Sequence, residues 1–241
     1  GTLTHGPASY PEFYVPHGAS ASDPGVQMTG GEWGGSSPHE SRFASGVTAY
    51  IRINAATTTA LLADSTLSYQ GGTQIYDVVG GTVPSGVDLD FTGGLARSFG
   101  GGTTYVIKNG AGLMRISGTS STGYAFGGMT VNDGVLDLMN NGNGSGNGWR
   151  SNITLANDSA VWLTATSGQS SDLRANIAGD GSVIKKDAGV VRLGPWGGVT
   201  QLTQSGDVTV EAGSLDSAGR SNYQMFDTPG DLVIAGGANF N

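Results

Sequence analysis

The chain has 241 residues, a formal net charge of −8, no cysteine, and only 12% charged residues. Such an acidic balance excludes the basic footprint that nucleic-acid binding needs. No apolar run approaches the roughly 18 residues of a membrane helix, so no membrane span is read in this chain. Glycine, at 43 residues, is well over twice its usual share. With Thr, Val, Ser and Asn abundant and helix formers scarce, this is a composition of strands and turns. The lack of cysteine suits a surface protein made for an oxidising compartment. The sequence begins at Gly1 without methionine or signal peptide and reads as a mature or processed piece.

Residues 1–46 differ from the rest. Five of the eight prolines fall here (Pro7, Pro11, Pro16, Pro24, Pro38), as do all three histidines, His5, His17 and His39. Proline is barred from central strand positions. The stretch therefore reads as an irregular, extended N-terminal arm or cap, with Tyr10, Phe13, Tyr14 and Trp33 as docking aromatics. Its histidine and glutamate spacings fit no metal-ligand pattern, and no cofactor is expected.

From 47 to 241 the chain repeats itself. VIKNGAGLMRISG (106–118) returns as VIKKDAGVVRLGP (183–195), MTVNDGVLDLM (129–139) as VTVEAGSLDSA (208–218), and ITLANDSAV (153–161) as LVIAGGANF (232–240). The three pairs keep the same order and nearly the same offset, so a unit of about 78 residues recurs. An earlier segment, IRINAATTTALL (51–62), resembles ITLANDSAVWL (153–163). Within the phrases, period-2 alternation puts Met114 and Ile116, or Val191 and Leu193, on one face. Ile153, Leu155, Val161 and Leu163 face inward by the same rule, and Asp137 and Asp216 point outward together. Turn pairs such as Asn109-Gly110, Asp133-Gly134, Asp180-Gly181 and Ala212-Gly213 separate the strands.

Short strands with a glycine corner predict an all-β parallel β-solenoid, in which each coil buries its inner face by stacking on the next. Residues 47–241 would form roughly 8–9 coils of ~22 residues, a rod about 40 Å long at ~4.8 Å per coil. The competing architecture is an antiparallel sandwich of duplicated hairpins. The order-preserving three-phrase repeat favours the solenoid.

Ile107-Lys108, Gly110, Gly112, Met114, Ile116, Gly118, Thr130, Val131, Gly134 and Leu136 follow a pattern similar to the autotransporter-associated β-strand repeat. The second copy follows it at Ile184-Lys185, Gly189, Val191, Leu193, Thr209, Val210, Gly213 and Leu215, with Asp187 in place of the first glycine. The resemblance covers about half the chain. It implies a right-handed β-helix passenger, secreted to the bacterial cell surface.

Catalytic signals are sparse. Asp88 and Asp90 in VDLDF alternate onto one face and are the best candidate carboxylate pair for a polysaccharide lyase or hydrolase. A solvated outer face explains them as well. NNGNGSGNG (140–148) reads as a long loop. Trp149, Trp162 and Trp196 fall in loops or on the outward face. There they could stack on sugars, pack under loops or lie at subunit contacts. The reading is a non-enzymatic structural or adhesive surface protein. It would self-assemble end to end into a fibre or layer, with copies of itself as partner. The assembly residues would be Tyr10, Phe13, Tyr14, Trp33, Leu232, Ile234 and Phe240. The alternative is a monomeric glycan-binding adhesin segment with extracellular glycans as partner.

Overall fold

The computed structural model describes residues 2–3, 22–34, 40–43, 48–63, 66–69, 72–93, 95–97, 103–118, 127–139, 148–156, 158–194, 201–217 and 230–241. Among them there are strands and turns but no helix, and every strand pairing is parallel. The described strands follow one another around the solenoid in a fixed order, and some coils lack a strand on one side. A strand of a seven-stranded sheet is followed by one of a ten-stranded sheet and then by a third side. That third side is a three-stranded sheet in the early coils and a four-stranded one in the late coils. The chain is therefore a parallel β-solenoid. Its coils are not uniform in length, as the sequence reading expects. Coil length ranges from 20 (Ser170 to Val190) to 32 (Gly72 to Thr104). The variation falls in the loops that leave the corners.

Stacking is clearest in the ten-stranded sheet. One inner column runs Ala60, Leu89, Met114, Leu136, Val161, Val183, Val208, Leu232. A second runs Leu62, Phe91, Ile116, Leu138, Leu163, Lys185, Val210, Ile234. All but the last rung and Lys185 are buried hydrophobic positions. Burying each large aliphatic side chain contributes about 1.5–3 kcal/mol. Across the core, Tyr76 of the seven-stranded sheet meets Phe91 edge-on, with ring centroids 5.2 Å apart.

The repeated phrases turn out to be layers of corners. Residues 106–118, 129–139 and 153–163 lie directly on one another where the seven-stranded sheet turns into the ten-stranded one. Residues 183–194, 208–217 and 232–240 do the same at the next corner, where the ten-stranded sheet turns into the four-stranded one. The recurring offset therefore spans whole coils plus one further side, and the second set is displaced around the solenoid by that side. A strand–turn–strand corner is thus the unit that recurs, and it fits two different edges of the solenoid. The earlier segment at 51–62 sits at the first of these corners.

The lysine of the first phrase makes the same kind of contact in both copies. In Thr104–Asn109, alternation carries Val106 and Lys108 inward together, and Lys108 is fully buried. Its Nζ donates to the carbonyl oxygens of Gly110 (2.6 Å) and of Asp133 in the next coil (2.8 Å), with that of Asn109 at 3.5 Å. Lys185 does the same with Lys186 (2.6 Å), Asp187 (2.7 Å) and Ala212 of the next coil (3.1 Å). Each ammonium gathers turn carbonyls that would otherwise face the apolar interior. Burial pulls both lysines down to about 8 from their ordinary 10.5.

Gly110 turns the first lysine corner at φ 78°, and Asp187, its counterpart, adopts φ 60°. The backbone demand survives where the glycine does not. Asp is among the few side chains that visit this region, at a cost. Asp187→Gly is expected to raise stability by up to about 1 kcal/mol, measured as a higher midpoint in chemical denaturation. An unchanged or lower midpoint would mean that the Asp187 side chain outweighs the strain.

Within residues 1–46, the reading as an irregular arm is corrected wherever the structure describes them. Val26–Met28, Gly31–Trp33 and Glu40–Phe43 are solenoid strands, each paired with the next coil. Trp33 packs in the core at 7% exposure, not on a docking arm. Its neighbours in register are Leu3 and Leu62. Tyr10, Phe13, Tyr14 and the three histidines lie outside the described residues.

Candidate functional site

The outward column of the ten-stranded sheet carries an ion pair and a buried carboxylate. Between the two inner columns it runs Leu61, Asp90, Arg115, Asp137, Trp162, Ile184, Thr209, Val233. Asp90 Oδ1 accepts from the Ser117 hydroxyl at 2.6 Å. Arg115 Nε donates to Asp137 Oδ2 at 2.7 Å, and the Thr164 hydroxyl donates to Asp137 Oδ1 at 2.6 Å. Asp137 points outward as expected, yet these neighbours cover it fully. Burial raises the carboxyls of Asp90 and Asp137, against the pull of these hydrogen bonds and of Arg115. Asp216 also points outward and accepts from Asn241 Nδ2 at 3.0 Å.

Asp88 and Asp90 do not converge. Asp88 Oδ1 accepts from the Gly81 amide at 2.8 Å and Oδ2 from the Leu113 amide at 2.9 Å. Asp88 thereby ties a long loop to the following coil, while Asp90 turns to Ser117. A general acid–base pair needs two carboxyls aimed at one space; here each is engaged by its own structural donors.

The tryptophans separate. Trp149 is fully buried and donates from Nε1 to the Ser151 carbonyl at 2.6 Å, so it belongs to the core and presents no ring to a glycan. Its bridge to Leu173 seats it on the third side of the solenoid. Trp162 is half-buried on the outward column. The Lys186 ammonium stands 4.5 Å from its ring centroid and pairs with Glu211 at 2.5 Å. That cation occupies a ring face that a sugar would need. Trp196 lies outside the described residues.

The last rung is different from every rung beneath it. In Leu232–Ile234 the three side chains are 44%, 45% and 45% exposed, whereas Val208 and Val210 directly below are fully buried. Leu232 and Ile234 are the inward positions of the two core columns, so the exposed surface is the cross-section of the core. The strand pairs with Val208–Val210 on one edge and has no strand on its other edge among the described residues. Phe240, in the last rung of the four-stranded sheet, pairs with Leu215 and is partly buried against the core. Natural edges are blunted by lysine, proline or a bulge. Among residues 231–241 the only charged side chain is Asp231. Alternation could single out Leu232, Ile234 and Phe240 as inward residues; that no described strand stacks on Leu232–Ile234 is seen only in the fold.

No protein-family model, no curated protein and no solved structure matches the chain.

Proposed function

We propose that the chain is a non-enzymatic structural rod that extends by stacking coils of a second copy onto its last rung. What supports this reading is the exposure of Leu232, Val233 and Ile234 at the open edge of the ten-stranded sheet. Adding a strand there would satisfy the free backbone groups and bury two core columns at once. The strand Thr2–Leu3 is the first of the same sheet, and it too is paired on one edge only among the described residues. All strands run parallel, so head-to-tail stacking preserves the pairing and propagates without closing, which makes fibres. The cysteine-free, charge-poor chain and the likeness of its phrases to autotransporter repeats support a place on the bacterial cell surface or in the secreted matrix.

Negative-stain images and light scattering of the 241-residue chain over a dilution series test this directly. Filaments many coils long are expected, and they should shorten to single rods in the double variant Leu232→Asp/Ile234→Asp. Single rods of the unaltered chain at every concentration would refute end-to-end assembly.

A further inference from the structure

One corner of the solenoid holds a side-chain carboxyl against the backbone nitrogen that follows it. Two aspartates of the chain are followed by glycine, Asp133 and Asp180. Glycine has no Cβ to crowd its own nitrogen, so the carboxyl of such an aspartate can approach that nitrogen closely. At Asp133 it does so: the Gly134 amide donates to Asp133 Oδ1 at 2.7 Å. Groups held this near have already lost most of the freedom that closing a ring would cost. The corner is anchored on both sides. The Asn132 amide donates to the Lys108 carbonyl at 2.9 Å, and the Gly134 carbonyl accepts from the Ala160 amide at 3.0 Å. Asp133 is itself exposed, so solvent reaches its carboxyl.

The third component is Lys108. Its buried ammonium donates to the main-chain carbonyl oxygen of Asp133 at 2.8 Å. A positive charge on that oxygen draws electrons from the peptide bond between Asp133 and Gly134. The Gly134 N–H becomes more acidic, and the Asp133 carbonyl carbon becomes more open to attack. Asp180 is placed differently, because its Oδ1 accepts from the Ser205 hydroxyl at 3.1 Å.

We propose that Asp133–Gly134 is a self-modifying site that converts to isoaspartate, with Lys108 as the activating group. In the first step the Gly134 nitrogen loses its proton and bonds to Asp133 Cγ. The carboxylate takes up that proton and one from solvent, and one of its oxygens leaves as water. A cyclic imide remains. In the second step water adds to the main-chain carbonyl carbon of Asp133. The bond from that carbon to the Gly134 nitrogen breaks, and its electron pair and a proton stay with the nitrogen. The main chain then runs through the former side-chain carboxyl and is longer by one carbon. The freed α-carboxyl gives its proton to solvent, and it carries the oxygen that the Lys108 ammonium already holds. A contact with a neutral carbonyl thereby becomes an ion pair, which favours the product. The site stands independently of strand addition at the last rung.

Incubation of the full chain in warm, mildly acidic buffer tests it, once native and once unfolded in urea. Electron-transfer fragmentation of proteolytic peptides quantifies isoaspartate at each position. In the native chain Asp133 is expected to convert about tenfold or more faster than Asp180, and faster than it does in urea, where the two rates should converge. In the native Lys108→Met chain the rate at Asp133 should fall about tenfold. The imide should then open at either carbonyl, which raises the share of aspartate in the product. The comparison of native and unfolded chain needs no variant, so it carries the test where Lys108→Met folds poorly. Conversion at Asp133 no faster in the native chain than in urea, or no faster than at Asp180, would overturn the site. A folded Lys108→Met chain with unchanged rate and product ratio would overturn the role of Lys108.

Discussion

Lys108→Met is expected to lower the stability of the chain by about 2–4 kcal/mol near pH 7, and by more near pH 9.5. The methionine fills the stem's volume but leaves the carbonyls of Gly110 and Asp133 facing apolar side chains. An orphaned buried acceptor costs about 1–3 kcal/mol. Part of that is offset at neutral pH, because the variant no longer buries an ammonium. The pH dependence follows from the depressed lysine. Between about 8 and 10.5 the folded chain has shed the Lys108 proton while the unfolded chain still holds it. The unfolded state then binds more protons, so stability rises with pH across that window. A neutral amine still donates to the carbonyls, so the gain keeps the corner intact. The variant lacks this rise at position 108, and the gap between the two proteins widens with pH. Lys185→Met should behave alike, since its carbonyl cage and its shift are the same in kind. Denaturant melts of each pair near pH 7 and near pH 9.5 measure the gap. A gap that stays constant or closes would show that the ammonium is not the buried group described.

Gly179→Ala is expected to cost about 3 kcal/mol or more, against about 1 kcal/mol for Gly168→Ala. Both glycines have positive φ, 103° at Gly179 and 75° at Gly168. They differ in what lies beside them. A Cβ on Gly179 would overlap the carbonyl oxygen of Leu155 in the coil below and come within 2.9 Å of that residue's backbone carbon and nitrogen. A Cβ on Gly168 would meet nothing within 4 Å. Gly179 is paired in register with Leu155, so it has no room to withdraw without breaking the ladder. The thermal or denaturant midpoints of the two variants separate backbone strain from coil-on-coil contact. Equal losses would mean that φ alone sets the requirement and that the stacked backbones have slack.

Much of the core was readable because strand alternation is a local property. Met114, Ile116, Val191, Leu193, Ile153, Leu155, Val161 and Leu163 face inward as their spacing requires. The same alternation places Lys108 with Val106 and Lys185 with Val183, and so contains the buried lysines. A lysine on an inner face contradicts the usual burial order, and only the carbonyls of the next coil resolve the contradiction. Those carbonyls are 25 and 27 residues away in sequence. The recurring offset was equally plain, yet its meaning was not. Whether it returns a phrase to the same side or to the next depends on coil length, and coil length depends on loops that carry no periodic signal.

The sites divide the same way. Asp88 and Asp90 alternate as expected, but alternation says nothing of the donors that reach them from Gly81, Leu113 and Ser117. Trp149 follows a glycine-rich loop and carries a loop's composition, while the stack draws it fully into the core. Prolines before residue 40 marked irregular chain, but strand pairing with the following coils incorporates Val26–Met28 and Gly31–Trp33 all the same. By itself the sequence determined the all-β parallel solenoid, its inner face and the corners where glycine or its substitute must turn the chain, because each of these is written within a few residues. Which residues meet across coils was decided only by the tertiary structure: the lysine cages and the exposed rung at Leu232–Ile234. In a solenoid every such contact joins residues some 20 to 32 positions apart, and that distance is set by loop lengths to which side-chain alternation is blind.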